Sequence, residues 1–296
     1  MLTIEEAFRK FKSRLELTER EQKDASRRQQ EIRGHMDSSF DIANDFLTGS
    51  YKRWTKTKPL KDVDIFCVLG EKERQRRSEG PSKLLQAVEK ALIGKYGNGN
   101  VRCQRRSVTV DFGVAVHDDE SDEQVVSFDV VPAFVKDDYF EIPDTSSTGG
   151  WTKTNPKVHA DKATQAHQNY ANEWKGIVRM AKYWNNNSGK PIKPSFLLEV
   201  MCLEVLHPPF GNKFDYEFQA LFATLANRIS DTWKDPAGLG PDVSDMMNDQ
   251  AKASAKTSLE SAQRQATEAI RLSRVGQNGD ALKAWRKLFG PLFPLS

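Results

Sequence analysis

The chain has 296 residues, of which 38% are hydrophobic and 29% charged, a composition typical of a water-soluble protein with one large or two modest domains. Its net charge of +3 is too small for a surface that coats nucleic acid, so any preference for anions has to come from local clusters. The cysteines Cys67, Cys103 and Cys202 are far apart and odd in number, which favours free thiols and a cytoplasmic location. There is no charged-then-apolar leader and no long apolar segment, so neither export nor a membrane span is expected.

The first segment, residues 1–38, is predicted to be one long helix with a densely charged outer side. Apolar residues recur in it at helical spacing: Ile4, Phe8, Phe11 and Leu15. A coiled coil and a helix that braces the outside of the fold are both compatible with this pattern. Because the apolar stripe fades after Leu17, the brace is favoured.

The second part, residues 39–150, is dominated by strand patterns. Four strands are expected in the segments FDIANDFLTGS, DVDIFCVLG, SVTVDFGVAV and QVVSFDVVPAF. Between the second and the third, SKLLQAVEKALIGKYG has the pattern of an amphipathic helix that ends at a glycine. The polar run from His117 to Glu123 is typical of a turn, so the last two strands are expected to form a hairpin. These elements predict a small mixed sheet with a covering helix.

The third part, residues 151–296, is predicted to be a helical domain. Helical patterns occur in EWKGIVRMAKYWNNN, SFLLEVMCLEVLH, FDYEFQALFATLANRI, the Ala-rich segment from Asp245 to Ser273, and ALKAWRKLFGPLF. The segment DTSSTGGWTKTNPK around the start of this part is small and polar, which indicates a boundary or a lid. The expected fold class is therefore α+β, with a sheet-bearing half, a helical half and a cleft between them.

Chemistry is concentrated in TGSYKRWTKTKPLKDVDIF, residues 48–66. Asp62 and Asp64 lie two apart on a predicted strand and project side by side, so they repel each other unless a cation lies between them. Mg²⁺, which prefers oxygen ligands, suits such a pair. The Gly49-Ser50 turn offers backbone N–H groups to an anion, and five cations raise the local positive potential: Lys52, Arg53, Lys56, Lys58 and Lys61. This combination predicts metal-assisted nucleotidyl transfer.

The spacing of Gly49-Ser50, Thr55, the basic stretch and the Asp-x-Asp pair resembles the nucleotidyltransferase superfamily of DNA polymerase β, oligoadenylate synthases and cyclic GMP-AMP synthase. The resemblance implies a polymerase β-like core in which Gly49, Ser50 and Thr55 hold a nucleotide. It also implies two Mg²⁺ ions, replaceable by Mn²⁺, on Asp62 and Asp64. A third aspartate on a neighbouring strand completes the metal site in this family.

Two residues of the predicted hairpin compete to be that third aspartate, Asp129 and Asp111. Strand alternation puts Ser127 and Asp129 on one face, and it points Asp111 away from the apolar face that begins with Val108. Either strand could reach the pair, because neighbouring strands lie about 4.8 Å apart. The family pattern, an aspartate followed by an apolar pair and a proline, favours Asp129 as the third metal ligand and catalytic residue.

A wider resemblance, from Phe40 to about Gly290, is to the bacterial cyclic-oligonucleotide synthases of anti-phage signalling. The segments that carry it include IPD, TNPKVH, VRMAKYW, KPSFLLE and WRKLFG. It implies condensation of nucleoside triphosphates into a cyclic di- or trinucleotide with release of pyrophosphate, and contacts from Lys182 and Ser195 to the donor triphosphate. One departure concerns Trp54, which stands where many members have glycine, at the expected mouth of the nucleotide pocket.

Two other functions stay open on the sequence. The same core supports an enzyme that adds nucleotides to an RNA end or to a protein, and it supports an inactive nucleotide-binding module. The mild net charge argues against a stable nucleic-acid partner, and the intact set of carboxylates argues against inactivity. Nucleoside triphosphates are the expected substrates, no membrane partner is expected, and a regulatory protein partner is left unidentified.

Overall fold

The computed structural model describes residues 2–58, 62–112, 127–146 and 149–296. The chain divides into two compact units. Leu17–Ala160 form one, here called the sheet unit, and Met1–Glu16 with Asp161–Ser296 form the other, the helical unit. This division differs from the predicted boundaries after residues 38 and 150, because the first helix belongs to the helical unit and the sheet extends past residue 150.

The prediction of one long N-terminal helix is wrong. The structure has helix α1 over Ile4–Arg14 and a separate helix α2 over Glu19–Ser39. The Thr18 side chain accepts a hydrogen bond from the backbone N–H of Glu21, and the Glu21 side chain accepts one from the backbone N–H of Thr18. This capping box satisfies the free N–H groups of a new helix end, so the chain starts a second helix there.

A mixed sheet forms the body of the sheet unit. Its strands in the described residues are β1 Ile42–Thr48, β2 Asp62–Leu69, β3 Val101–Cys103, β4 Val108–Asp111, β5 Ser127–Lys136, β6 Tyr139–Asp144 and β7 Gly150–Thr154. They run in the order β1-β2-β5-β4-β3, and β6 pairs with both β5 and β7. Strands β2 and β5 are parallel, whereas β4 and β5 are antiparallel, as a hairpin requires. The turn predicted at residues 117–123 lies outside the described residues.

Strand β7 corrects the prediction for the small, polar segment around residue 150. That segment was expected to be a boundary or a lid, but Gly150–Thr154 pairs in antiparallel register with β6 and closes one edge of the sheet. Its composition misled the prediction because the strand is only five residues long and has no run of buried apolar residues to mark it.

One face of the sheet is apolar and carries the core of the sheet unit. Strand β2 contributes Val63, Ile65 and Cys67 to this core, and helix α2 lies against the same side, as the brace interpretation expects. A further helix, α5 over Pro81–Tyr96, also packs there and ends at Gly97, as predicted. Two short helices complete the unit, α3 Gly49–Lys52 and α4 Arg74–Glu79. The opposite face of β2 carries Asp62 and Asp64 at the start of the strand, and farther along it carries Phe66 and Val68, which are buried in a second, smaller apolar cluster.

The rest of the chain is helical, as predicted. The helices are α6 Pro156–Asn169, α7 Trp174–Asn187, α8 Ser195–Val205, α9 Phe214–Arg228, α10 Asp249–Arg274 and α11 Asn278–Phe289. In the core of the helical unit, Phe8 and Phe11 of α1 pack against Phe289 and Phe293 at ring-centroid distances of 5.0–5.8 Å. None of the described helices is both long and apolar enough to span a lipid bilayer.

Candidate active site

Three aspartates lie on the face of the sheet opposite its main core. Asp62 and Asp64 alternate with the buried Val63 on β2, so both project away from the apolar core. The parallel register between β2 and β5 sets Asp64 beside Asp129 and Asp62 beside Ser127. The structure thus brings the three predicted carboxylates onto one face of two adjacent strands.

The carboxylates disturb each other electrostatically. Burial, followed by the charges of Asp62 and Asp129, raises the pKa of Asp64 to about 6, and Lys56 and Arg53 oppose that shift. The pKa of Asp129 is also raised, chiefly by burial, while the hydrogen bond from Thr109 opposes the shift. Such unfavourable proximity of like charges is typical of sites that bind a cation.

Asp111, the rival third carboxylate, lies one strand farther from the pair. It is opposite Ser127 in the β4–β5 register, and Ser127 separates it from Asp62. At about 4.8 Å per strand, this places the Asp111 backbone roughly 10 Å from that of Asp62. Its carboxylate pairs with Arg102 at 3.3 Å. The register therefore favours Asp129, as the sequence pattern does.

Gly49 lies directly against the carboxylate of Asp64. Thr48, the last residue of β1, is paired with Asp64, so the chain turns into α3 right beside that side chain. Gly49 has φ +65°, and a Cβ at this position would lie 1.6 Å from Asp64 Oδ2. Only glycine fits the position, because any side chain would displace the carboxylate and would also strain the backbone.

The loop after Gly49 is held by backbone hydrogen bonds. The Ser50 carbonyl accepts from the N–H groups of Thr55 and Lys56 at 3.0 and 3.1 Å. Thr55 is fully buried. In this arrangement it shapes the loop, and its contact with a nucleotide stays a prediction, as does that of Ser50.

Trp54 has a left-handed backbone, with φ +59°. This conformation costs a non-glycine residue on the order of 1–3 kcal/mol, which gives a physical reason for glycine to be common at this position among the resembling enzymes. The Trp54 side chain is 55% exposed. A strained backbone and an exposed indole therefore coincide next to the Gly49-Ser50 turn.

Two partners of the carboxylates were not assigned from the sequence. The Lys56 ammonium donates to Asp62 Oδ1 at 2.5 Å, and the Thr109 hydroxyl donates to Asp129 Oδ1 at 2.5 Å. Lys56 was expected only to add to the positive potential. Thr109 could have been found from the alternation of β4, which puts it on the polar face opposite Asp129.

The donor set fits Mg²⁺ by its chemistry, since carboxylate oxygens are its preferred protein ligands. In the described ranges, however, no three His, Cys, Asp or Glu side chains converge closely enough to form a metal cage. The cation that Asp62 holds is the ammonium group of Lys56, and Asp129 is held by a hydroxyl. The three aspartates predicted to bind the metal are neighbours on paired strands, but each of Asp62 and Asp129 contacts a group of the protein itself. Metal binding by them stays a proposal.

The two residues predicted to contact the donor from the helical half lie in the helical unit. Lys182 of α7 is 4% exposed, and its ammonium forms an ion pair with Glu199 of α8. Ser195 is exposed and is the first residue of α8, as predicted. The buried ion pair gives Lys182 a role in packing, and its contact with a nucleotide stays a prediction.

Comparisons with known proteins decide the family. The profile of the Second Messenger Oligonucleotide or Dinucleotide Synthetase domain matches residues 2–167, more than half of the chain. The chain belongs to this family. The predicted nucleotidyltransferase activity is thereby confirmed.

Individual relatives of the synthetase agree with this assignment. A probable cyclic nucleotide synthase of Bacillus cereus is 27% identical over 280 residues, covering 83% of this chain and 81% of the relative. A cyclic AMP-AMP-AMP synthase of an Acinetobacter species is 28% identical over 286 residues, covering 90% of this chain and 77% of the relative.

Solved structures show the fold of the synthetase. Escherichia coli CdnC, solved with ATP, matches 97% of this chain and 98% of its own with a TM-score of 0.72 at 18% identity. Bradyrhizobium diazoefficiens CdnG, solved with GTP, matches 95% of this chain and 98% of its own with a TM-score of 0.68 at 16% identity. The predicted polymerase β-like fold is confirmed.

Proposed function

We propose that this synthetase condenses nucleoside triphosphates, releases pyrophosphate and closes the product into a cyclic di- or trinucleotide. One observation carries the proposal: Asp62, Asp64 and Asp129 share one face of the sheet, directly beside a glycine whose Cβ would overlap with a carboxylate. The two curated relatives are named as makers of cyclic nucleotides, which supports the class of product.

The residues act by holding groups in place. Gly49 and Ser50 bind the donor triphosphate through backbone N–H groups and a hydroxyl. Donor contacts from Lys182 and Ser195 rest on the family resemblance alone, and the ion pair with Glu199 supports a structural role for Lys182. Asp62, Asp64 and Asp129 would hold Mg²⁺, which when bound lowers the pKa of the acceptor hydroxyl and neutralises the leaving pyrophosphate. No separate strong base is needed, because positioning and charge neutralisation supply most of the rate.

The proposed setting is anti-phage signalling in the cytoplasm. The resemblance to bacterial cyclic-oligonucleotide synthases supports it, as does the preference of free cysteines for a reducing compartment. A regulatory protein partner is part of this proposal, since E. coli CdnC has been solved in complex with a HORMA protein.

The deciding experiment is incubation of the purified chain with Mg²⁺ and nucleoside triphosphates radiolabelled at the α-phosphate, which the product keeps, followed by phosphatase treatment. A cyclic product has no terminal phosphate, so its label should survive the treatment. A phosphatase-sensitive ladder, or label transferred only to added RNA, would favour the enzyme that extends an RNA end. No product under any of these conditions would favour the inactive module.

A further inference from the structure

Lys56 places a positive charge beside the three aspartates of the sheet unit. Its ammonium group donates to Asp62 Oδ1 at 2.5 Å. Burial raises the pKa of Asp64 and of Asp129, and the charge of Lys56 opposes both shifts. One lysine therefore compensates part of the repulsion among all three carboxylates, which is the electrostatic effect that a bound divalent cation has in such a cluster.

The two side chains of this ion pair differ in their access to solvent. The Lys56 side chain is 13% exposed, whereas that of Asp62 is 44% exposed. A largely desolvated ammonium group needs an anionic partner, because a buried charge without one is costly. The half-exposed carboxylate remains open to a second cation from solvent. A cation that takes Asp62 therefore leaves Lys56 in need of another anion.

The backbone of Lys56 belongs to the loop that is proposed to hold the triphosphate. Its N–H donates to the Ser50 carbonyl at 3.1 Å, and the same loop brings Gly49 against the carboxylate of Asp64. A lysine side chain has a flexible four-carbon stem and a compact charge with three donors, so it can change partners without a movement of the backbone. Lys56 is thus anchored to this loop and paired with the aspartates at the same time.

We propose that Lys56 exchanges partners when substrate binds: it neutralises Asp62 in the free protein, yields this carboxylate to the divalent cation, and then contacts the phosphates that the cation brings with it. The inference rests on the proposed function and adds a residue that couples metal binding to triphosphate binding. A metal ion alone has to displace the ammonium group and leaves it uncompensated. A metal ion with a triphosphate supplies a new partner for both charges of the pair, so this combination binds more favourably.

Binding measurements test the exchange without turnover. The probes are Mn²⁺, whose free concentration is read by electron paramagnetic resonance, and the Mn²⁺ complex of inorganic tripolyphosphate, followed by calorimetry. In Lys56→Gln we expect Mn²⁺ alone to bind about 3-fold more tightly, because a partly exposed ion pair no longer competes for Asp62. The tripolyphosphate complex should bind on the order of 10-fold more weakly, because a charge-assisted hydrogen bond to phosphate is lost.

Lys58→Gln is the matched control for net charge. Lys58 lies two residues farther along the chain and pairs with Glu21 at 3.6 Å, so this variant also loses one positive charge and one ion pair. It should change both affinities much less, since its partner is not one of the three aspartates. Lys56→Arg keeps the charge and should bind both probes more nearly as the wild type does. Without metal, Lys56→Gln should melt at a lower temperature than the wild type, and Mn²⁺ should raise its melting temperature by more.

Three results would overturn the inference. They are a Mn²⁺ affinity that does not rise in Lys56→Gln, a tripolyphosphate complex that binds this variant as tightly as the wild type, and equal changes in Lys56→Gln and Lys58→Gln. If the variants bind the probes with the expected pattern but the wild type forms no cyclic product, the proposed function is wrong and the exchange stands. If the wild type forms product and Lys56→Gln binds both probes as the wild type does, the proposed function stands and the exchange is wrong.

Discussion

The two units treat charged groups in opposite ways. In the helical unit, Lys182 and Glu199 are almost completely buried, yet they have opposite charges and form an ion pair with each other. In the sheet unit, Asp62, Asp64 and Asp129 have the same charge and lie side by side, and the pKa of Asp64 rises to about 6. The pair is compensated within the fold, whereas the carboxylates are compensated only in part.

The difference separates a structural role from a functional one. A buried ion pair whose two charges neutralise each other needs no ligand, so packing explains it. Removing one partner leaves the other charge buried and uncompensated, which destabilises the fold. A cluster of like charges lowers the stability of the free protein and becomes favourable only when a cation binds. Four experiments test this contrast, and they are given in decreasing order of effect.

The largest effect is expected on stability, when the buried pair is disrupted. Lys182→Ala leaves Glu199 charged and buried, which should lower the free energy of unfolding by about 3–5 kcal/mol. Lys182→Met combined with Glu199→Met removes both charges and should recover most of this loss. Urea unfolding measures both variants. If Lys182→Ala is as stable as the wild type and loses affinity for tripolyphosphate, the lysine is a phosphate ligand. The assignment of a structural role to the buried pair would then be wrong.

Asp129→Asn should give the next largest effect, now on turnover. It removes a carboxylate next to Asp64, so we expect product formation to fall by on the order of 10²–10³-fold or more, with nucleotide affinity largely kept. Asp111→Asn is the matched control, because Asp111 lies on the same face one strand away and pairs with Arg102. Turnover should be lost in the first and kept in the second. The reverse result would assign the site to Asp111.

Gly49→Ala should reduce turnover by about 10²-fold, because the new Cβ pushes the Asp64 carboxylate out of place and small displacements in an active site are costly. Gly97→Ala is the control, because it also forces a residue with a Cβ into a left-handed backbone conformation, φ +84°. It creates no steric clash, since nothing lies within 4 Å of the place that its Cβ would take. It should cost about 1 kcal/mol of stability and leave turnover intact. Equal turnover in the two variants would show that the approach of Gly49 to Asp64 is unimportant.

The smallest effect is expected in the melting temperature. Without metal, Asp64→Asn should stabilise the sheet unit by about 1 kcal/mol, or roughly 2–4 °C, because it removes a charge that Asp62 and Asp129 repel. Mg²⁺ should raise the melting temperature of the wild type and of Asp111→Asn, and it should have less effect on Asp64→Asn. An equal Mg²⁺ response in all three proteins would mean that the ion binds elsewhere.

The sequence predicted the site best where a short periodicity determines geometry. Alternation along β2 and β5 was enough to put Asp62, Asp64 and Asp129 on the side of their strands opposite the main core, and the structure adds the register that makes them neighbours. Such predictions succeed because the period of a strand is two residues whatever the rest of the chain does.

Features that depend on tertiary packing were not predictable. The burial of Lys182 depends on where α8 places Glu199, which is 17 residues away in the sequence. The left-handed backbone of Trp54 is set by the loop hydrogen bonds and contradicts the preference of the residue itself. By contrast, the break between α1 and α2 could have been found, since Thr18 and Glu21 have the spacing of a capping box.

The route of the chain through the two units has a consequence for biosynthesis. Helix α1 and its partners belong to the same unit but lie on either side of the sheet unit in the sequence. Phe8 packs against Trp285, Phe289 and Phe293, and Lys10 donates to the carbonyl of Ser296. Ribosomes make Phe8 before the sheet unit and make all of these partners after it. The Phe8 ring therefore stays without them while the sheet unit is synthesised. During that interval it is an exposed apolar group on the nascent chain, which favours aggregation unless a chaperone covers it.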